Sequence, residues 1–218
     1  MGGVINMYKV NEIFKSIEGE GICTGLPCTF IRFYGCNLNC SYCDTRYSCE
    51  NSEYTLMTLD DIITKVQELG GTRVTLTGGE PLLVDDLNYL ISVLRSLGFE
   101  VNIETNGSCY IGDCTADIIT MDYKTYTSGM ESKMILANIP LLRKQDVLKF
   151  VVGNITDLMT MRAIIRDFKP KCRVYVSPVF GMIEPKDIVE FVLQEKLDDV
   201  TVQVQLHKII WEPDKRGV

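Results

Sequence analysis

Hydrophobic positions along the chain follow two spacings, and their alternation predicts a series of helices and strands. Residues 58–69 and 85–97 repeat apolar side chains every three or four positions, which is typical of a helix with one buried face. Around them lie short runs rich in β-branched residues, which predict strands. The predicted strands are 28–34, 73–77, 99–104, 117–122, 147–152, 173–177 and 200–206, and the further predicted helices are 131–138, 156–168 and 185–197.

Signals at the ends of these segments support the predicted boundaries. Thr58 with Asp61 three residues later is the pattern of a capping box, and Gly70 and Gly71 follow the last apolar position of that helix. Thr156 is the predicted N-cap of a later helix. Because strands and helices alternate with short connections, the sequence predicts parallel strands joined by right-handed crossovers.

The number of predicted units restricts the fold class. Six or seven strand–helix repeats fit within 218 residues, which is too few for a complete barrel of eight β/α units. We therefore predict an α/β fold with a small or incomplete parallel barrel. No linker rich in Pro, Gly or Ser and no internal repeat interrupts the sequence, so we expect residues 1–218 to form a single domain.

Polar residues follow several predicted strands at the point where the chain leaves the sheet. Because the carboxyl ends of parallel strands lie at one rim of a β/α barrel, these residues should surround a shared pocket. A single ending such as Asn106-Gly107 is ordinary turn chemistry, but five endings in register favour a site. The residues are Thr77, Glu80, Glu104, Asn106, Asp122, Lys124, Ser177, Gln205 and His207.

Three cysteines lie close together in a loop at about residues 35–49, after the first predicted strand. The spacing Cys36-x3-Cys40-x2-Cys43 lets three thiolates converge on one metal centre but leaves a fourth position without a ligand. A structural zinc site takes four ligands, whereas His207 is the only histidine and no second Cys-x2-Cys pair exists. The pattern therefore favours an iron–sulfur cluster with one open iron over a zinc site or disulfides.

Net charge, apolar runs and the cysteine count indicate the cellular compartment and the kinds of partner that the protein can bind. The net charge of −7 argues against a broad basic face for nucleic acid, and no apolar run reaches the length of a signal peptide or membrane span. Nine cysteines is an odd number, so we expect a reducing, cytoplasmic environment with free thiols outside the triplet. Among these thiols, Cys49 is a candidate for an additional ligand. The expected free thiols are Cys23, Cys28, Cys49, Cys109, Cys114 and Cys172.

Two motifs together resemble those of the radical S-adenosylmethionine (SAM) enzymes. The cysteine triplet with Tyr42 before Cys43 resembles the cluster motif of that family, and Thr-Gly-Gly-Glu-Pro at 77–81 resembles its second signature. The resemblance implies that Cys36, Cys40 and Cys43 hold a [4Fe-4S] cluster whose open iron binds the methionine end of SAM. Paired glycines let the backbone approach closely, and a carboxylate suits an ammonium group.

A narrower resemblance, to the 7-carboxy-7-deazaguanine synthases, covers nearly the whole chain. It implies a small enzyme of a kind that is often dimeric, with a trimmed (β/α)6-like barrel. Such an enzyme converts 6-carboxy-5,6,7,8-tetrahydropterin to 7-carboxy-7-deazaguanine with loss of ammonia, in queuosine or archaeosine biosynthesis. It also implies a Mg2+ ion and an external one-electron donor such as flavodoxin or ferredoxin. The similar blocks are 16–21 (Ser-Ile-Glu-Gly-Glu-Gly), 30–33, 35–38, 43–45, 104–107 and 205–208.

The resemblance also implies roles for individual residues, with no protein acid or base because the radical comes from SAM. Arg32 would clamp the substrate carboxylate, and Thr45 would share a Mg2+ ion with that carboxylate. The implied SAM contacts are Tyr42, Cys43, Asp44, Gly79, Glu80, Asn106, Asp122, Tyr123, Lys124 and Ser177, with Pro178 and Val179 alongside. The implied substrate contacts are Ile17, Glu18, Gly19, Arg32, Thr77 and His207.

The chain departs from the synthase pattern at two places, and two other functions compete. Many members carry Gln where this chain has Glu18, and Ser-Pro-Lys where it has residues 122–124. A radical SAM activase that acts on a protein substrate would share both motifs, and a non-catalytic zinc-binding module would share the cysteines. The block at 16–21 and Arg32 favour a small carboxylated substrate over a protein substrate, and analysis of bound iron, sulfide and zinc would separate the zinc module from the enzyme.

Overall fold

The computed structural model describes residues 7–49, 53–213 and 215–218. Within these ranges, nine strands form one mixed sheet with the order β3-β1-β2-β4-β5-β6-β7-β8-β9. The strands are β1 (Met7–Ile17), β2 (Pro27–Phe33), β3 (Thr55–Thr58), β4 (Arg73–Gly78), β5 (Glu100–Thr105), β6 (Ile118–Tyr123), β7 (Val147–Val152), β8 (Arg173–Pro178) and β9 (Val200–Val202). The α-helices are α1 (Leu59–Leu69), α2 (Leu87–Ser96), α3 (Ile155–Phe168), α4 (Pro185–Gln194) and α5 (Leu206–Ile210).

The topology confirms the prediction of an incomplete parallel barrel. The strands from β2 through β4 to β9 pair in parallel, and β1 adds to the β2 edge in antiparallel orientation, followed by β3. β3 and β9 are the two edges, so the described sheet is open. Helices α2, α3 and α4 follow β4, β7 and β8, as expected for parallel crossovers.

The two faces of the sheet differ in polarity, and the candidate site lies on the polar face. On β4, Val74 and Leu76 are fully buried in the apolar core, whereas Thr75 and Thr77 point to the other face. The same alternation on β5, β6 and β7 directs a second set of polar side chains to that inner face. This set consists of Asn102, Glu104, Thr120, Asp122 and Lys149.

Helices α1 and α2 cover the outer face with the apolar side chains that the sequence predicts. Ile62 and Val66 of α1 are buried, as are Leu90, Ile91 and Leu94 of α2. The predicted capping box is confirmed, because Thr58 and Asp61 exchange both of its hydrogen bonds. Among the described residues, no helix is long and apolar enough to cross a membrane.

The predicted helix at 131–138 is wrong. The segment forms the 3-10 turns Glu131–Lys133 and Leu136–Leu141 instead. Asn138 binds the preceding loop, because its Nδ2 donates to the Cys109 carbonyl at 2.7 Å and its Oδ1 accepts from the Ile111 N–H at 3.2 Å. These tertiary bonds, rather than local periodicity, determine the conformation of the segment.

Two further predicted boundaries are wrong. The last strand ends at Val202 instead of continuing to residue 206, because the Gln203 side chain bonds both the N–H and the carbonyl of Gly21. His207 therefore lies in α5 rather than at a strand end. The N-cap of α3 is Asn154, whose Oδ1 accepts from the Asp157 N–H, rather than Thr156.

We expect Asn154→Ala to lower the free energy of unfolding by about 1 kcal/mol, because the first turn of α3 loses its side-chain acceptor. Thr156→Ala is the matched control, since Thr156 is exposed in the first turn of α3, and we expect a change within about 0.5 kcal/mol. Urea denaturation of both variants measures the difference. Equal losses would contradict the assignment of the cap.

Candidate active site

One pocket lies on the inner face of the sheet, where the carboxyl ends of the parallel strands meet the cysteine loop. It brings together most of the residues that the sequence predicts for the site. These residues are Ile17, Glu18, Gly19, Arg32, Cys36, Cys40, Tyr42, Cys43, Asp44, Thr45, Thr77, Gly79, Asn106, Asp122, Lys124 and His207. The strand-end residues Glu104 and Gln205 line the same pocket.

Glu80 lies behind the pocket rather than in its lining. Its buried carboxylate accepts hydrogen bonds from the Asn106 N–H at 2.7 Å, the Thr105 hydroxyl at 2.8 Å and the Leu82 N–H at 3.0 Å. Burial raises the pKa of this carboxyl, although these three donors oppose the shift. In the described structure, Glu80 therefore ties the turn after β4 to the end of β5.

Tyr123 and Ser177 also lie outside the lining. Tyr123 packs in the core against Phe150, with ring centroids 5.4 Å apart. Ser177 is fully buried, and its hydroxyl helps to lower the pKa of Glu20. Of the two residues after Ser177, Val179 does line the pocket.

The cysteine loop is seated by backbone contacts with the end of β4. The Glu80 N–H donates to the Gly35 carbonyl at 2.8 Å, and the Gly79 N–H donates to the Phe33 carbonyl at 3.1 Å. A β-carbon on Gly79 would collide with the Gly35 carbonyl, and one on Gly78 would collide with the backbone of Phe33. The two glycines are therefore required by the close approach of two backbones.

The three thiols of the loop line one pocket and form a donor set that suits an iron–sulfur cluster. The Leu38 N–H and the Asn106 amide donate to Cys36 Sγ, and such donors stabilise a thiolate ligand.

Burial changes the pKa of several thiols in and near the cysteine loop. It raises the pKa of Cys36 and of Cys40, although Lys124 opposes the shift at Cys40. Cys49 lies near Cys43 and Cys36, and burial raises its pKa to about 11. The role of Cys49 as an additional ligand stays a prediction.

A chain of alternating charges forms the floor of the pocket. Lys124 Nζ lies 2.8 Å from Asp122, and Lys149 Nζ lies 3.4 Å from Asp122 and 3.1 Å from Glu20. Burial alone would lower the pKa of both lysines, but the neighbouring carboxylates raise each above its usual value. The lysines are thus charged and paired, as buried charges must be.

Sequence reasoning missed Lys149 and Glu20 as parts of the site. The signal for Lys149 was present, since it is the one charged residue in the apolar run of β7, where every position is buried. The partner of Lys149 could not be predicted, because Glu20 lies 129 positions earlier in the chain.

Arg32 lines the pocket and is held in a fixed orientation. Its Nε donates to Glu12 Oε1 at 2.8 Å, and the Tyr47 hydroxyl donates to the same oxygen at 2.8 Å. The guanidinium carbon lies 5.9 Å from the centre of the Phe14 ring and 5.7 Å from that of Tyr47. No hydrogen bond to the terminal nitrogens of Arg32 occurs within the described ranges, and these nitrogens can receive an anion.

His207 lines the pocket next to Gly19. A β-carbon on Gly19 would collide with the His207 ring, and the Leu206 N–H donates to the Gly19 carbonyl at 3.1 Å. Burial lowers the pKa of His207, which favours the neutral imidazole. Neighbouring Lys208 pairs with Asp44 at 2.9 Å and so ties α5 to the cysteine loop.

We expect Gly79→Ala to lower the free energy of unfolding by at least about 3 kcal/mol, because the methyl group meets backbone that cannot move aside. Gly98→Ala is the control. Gly98 has φ +89°, and a β-carbon there would meet no atom within 4 Å. The alanine variant should therefore lose only the free energy of the unfavourable backbone conformation, about 1–2 kcal/mol. Urea denaturation of the full chain measures both. An equal loss in the two variants would contradict the close approach at Gly79.

Comparisons with known proteins agree with this geometry. The family model for the radical SAM superfamily matches residues 30–132. A 7-carboxy-7-deazaguanine synthase of Clostridium acetobutylicum is 49% identical over 97% of this chain and 99% of its own length. Synthases of the same name from Chlorobaculum tepidum and Methanospirillum hungatei are 36% and 38% identical, covering 96% and 94% of this chain and 96% and 86% of their own lengths.

Solved structures support the fold, and the sequence matches establish the family. The crystal structure of QueE from Escherichia coli superposes with a TM-score of 0.75 at 23% identity, over 92% of this chain and 95% of that one. Streptococcus suis SuiB bound to S-adenosylmethionine gives a TM-score of 0.57 at 13% identity, over 78% of this chain and 48% of that one. The predicted family is confirmed: the chain belongs to the 7-carboxy-7-deazaguanine synthases, within the radical SAM enzymes.

Proposed function

We propose that this chain converts 6-carboxy-5,6,7,8-tetrahydropterin to 7-carboxy-7-deazaguanine with loss of ammonia, by a radical ring contraction in 7-deazapurine biosynthesis. The observation that carries the proposal is that a single pocket is lined both by the three cysteines and by Arg32. A radical generated at the cysteine loop would therefore form beside a bound carboxylate. The relatives that match along almost the whole chain carry the name of this activity.

The cofactors of this family are a [4Fe-4S] cluster and SAM, and the donor set of the pocket fits both. Cys36, Cys40 and Cys43 would hold the cluster, which leaves one iron open for SAM. When bound, these groups supply the 5′-deoxyadenosyl radical that takes a hydrogen atom from the substrate. Further contacts to SAM would come from Tyr42, Asp44, Gly79, Asn106, Asp122 and Lys124, with Glu80, Tyr123 and Ser177 acting from behind the lining.

The protein binds and orients the substrate and excludes water. Glu12 and Tyr47 hold the Nε side of Arg32, so the terminal nitrogens can bind the substrate carboxylate in a bidentate manner. Ile17, Glu18, Gly19, Thr77 and His207 line the same pocket, so these residues would contact the pterin ring. The inward position of all of them supports these roles.

A Mg2+ ion between Thr45 and the substrate carboxylate is part of the proposal. Thr45 lines the pocket, and its hydroxyl lies 3.8 Å from Cys43 Sγ. A single hydroxyl is a weak ligand for an ion that demands six oxygens, so substrate and water would supply the others.

The remaining proposals concern the electron donor, the oligomeric state, the cellular compartment and the domain organisation of the enzyme. We expect an external one-electron donor such as flavodoxin or ferredoxin, a homodimer, and a reducing cytoplasmic environment. The nine cysteines, all within the described ranges, form no disulfide, which suits that environment. One continuous sheet supports a single domain for residues 1–218, of which 1–6, 50–52 and 214 lie outside the described residues.

We expect the anaerobically reconstituted and reduced enzyme to form 7-carboxy-7-deazaguanine from the carboxylated pterin when SAM and Mg2+ are present. Mass spectrometry detects the product. Omission of SAM, or the change Cys43→Ala, should abolish it, because both remove the source of the radical. Formation of 5′-deoxyadenosine without 7-carboxy-7-deazaguanine would overturn the substrate assignment and leave the family unchanged.

We expect Arg32→Ala to raise KM for the substrate at least about tenfold with a smaller change in kcat, because a charged hydrogen-bond donor to the carboxylate is lost. Arg73→Ala is the matched control: Arg73 pairs with Glu100 at the opposite end of the sheet. Steady-state kinetics on both variants measures KM and kcat for the carboxylated pterin. Unchanged KM in Arg32→Ala would contradict the role of Arg32.

A further inference from the structure

The side chains of Asn37, Asn106 and Ser108 form a closed ring of hydrogen bonds beside the cysteine loop. Asn37 Nδ2 donates to Ser108 Oγ at 2.8 Å, and Ser108 Oγ donates to Asn106 Oδ1 at 2.6 Å. Asn106 Nδ2 completes the ring by donating to Asn37 Oδ1 at 3.1 Å. Each side chain donates once and accepts once within the ring, so the three hydrogen bonds polarise one another in the same sense.

The ring holds the Asn106 amide against the first cysteine of the triplet. Asn106 Nδ2 donates a second hydrogen bond, to Cys36 Sγ, at 3.6 Å. Asn106 is 8% exposed, and its backbone N–H donates to the buried carboxylate of Glu80 at 2.7 Å. The amide is therefore fixed both through the ring and through its own backbone, at a position where water has little access.

The orientation of the Asn106 amide follows from the chemistry of its neighbours. The backbone N–H of Ser108 can only donate, and it lies 2.9 Å from Asn106 Oδ1. The amide nitrogen must therefore lie on the other side, where Cys36 Sγ and Asn37 Oδ1 both accept. All four hydrogen-bonding positions of the amide are then occupied within the protein. A contact between Asn106 and SAM would use none of them.

We propose that Asn106, held in place by Asn37 and Ser108, raises the reduction potential of the [4Fe-4S] cluster by donating its amide N–H to the Cys36 thiolate. This inference rests on the cluster of the proposed function and is independent of the substrate. Reduction adds one negative charge to the cluster and its thiolates. An N–H group aimed at a ligand sulfur stabilises the reduced form more than the oxidised form. Asn106 is thus a positioning residue that makes the cluster easier to reduce by a one-electron donor.

The test is a redox titration of the reconstituted protein, performed without oxygen and without SAM and followed by electron paramagnetic resonance. It measures the midpoint potential of the cluster. Asn106→Ala removes the donor without adding charge, so we expect its equilibrium constant for reduction to be about tenfold smaller, a potential about 59 mV lower for one electron. Asn106→Asp should lower the potential further, because a carboxylate then faces the thiolate.

Further variants test the ring and control for charge. Ser108→Ala removes one of the bonds that hold the amide, so we expect a smaller shift in the same direction. Ser108→Thr keeps the hydroxyl and should restore the potential of the unchanged protein. Asn88→Asp is the matched control for added charge, since Asn88 is exposed on α2 at the outer face and bonds Asp113 and Thr115. Its potential should equal that of the unchanged protein.

An unchanged potential in Asn106→Ala would overturn the inference, and so would a shift in Asn106→Asp alone, which would reflect charge rather than a hydrogen bond. Weaker binding of SAM at an unchanged potential would assign Asn106 to SAM and would also overturn it. If Asn106→Ala does not retain the cluster, Ser108→Ala and Ser108→Thr decide, and equal potentials in these two variants would contradict the inference. Each of these outcomes leaves the proposed function standing, whereas absence of a cluster in the unchanged protein would overturn both.

Discussion

The close approach of two backbone segments determines the architecture of the pocket. Gly78 and Gly79 at the end of β4 lie directly against Phe33 and Gly35, where β2 passes into the cysteine loop. The next residue, Glu80, then bonds the end of β5 through its carboxylate. Two adjacent strands and the loop are thus joined at one point. Because this point lies at the carboxyl end of parallel strands, the thiols are placed over the inner face of the sheet.

The inner face is a polar surface inside an otherwise apolar fold, and its charges are arranged in pairs. Burying Asp122, Lys124, Lys149 and Glu20 carries a desolvation cost that only mutual pairing offsets. Replacement of this network by apolar residues would not be expected to weaken the fold, so its presence is better explained by binding. An alternating set of charges can meet a zwitterionic cofactor and a carboxylated substrate at the same time.

Local signals predicted the parts of the structure that depend on local chemistry. The cysteine spacing, the glycine pair at 78–79 and the capping box at Thr58 are short motifs, and each lies where the sequence placed it. Strands β1 and β3 were missed, because antiparallel pairing with β2 decides them rather than a distinct local pattern. For the same reason Glu12 and Tyr47, which orient Arg32, were not predicted. The pairing of Lys149 with Glu20 depends on strand order across the sheet, which no local pattern reveals.

In the proposed enzyme, three thiolates hold a [4Fe-4S] cluster with one iron open to SAM. Electron paramagnetic resonance of the reconstituted and reduced protein, recorded before and after addition of SAM, tests it most directly. We expect SAM to change the signal, because the open iron would gain new ligands from the cofactor. A signal that SAM leaves unchanged would indicate a fourth protein ligand, such as Cys49, and would show that no iron is open to SAM.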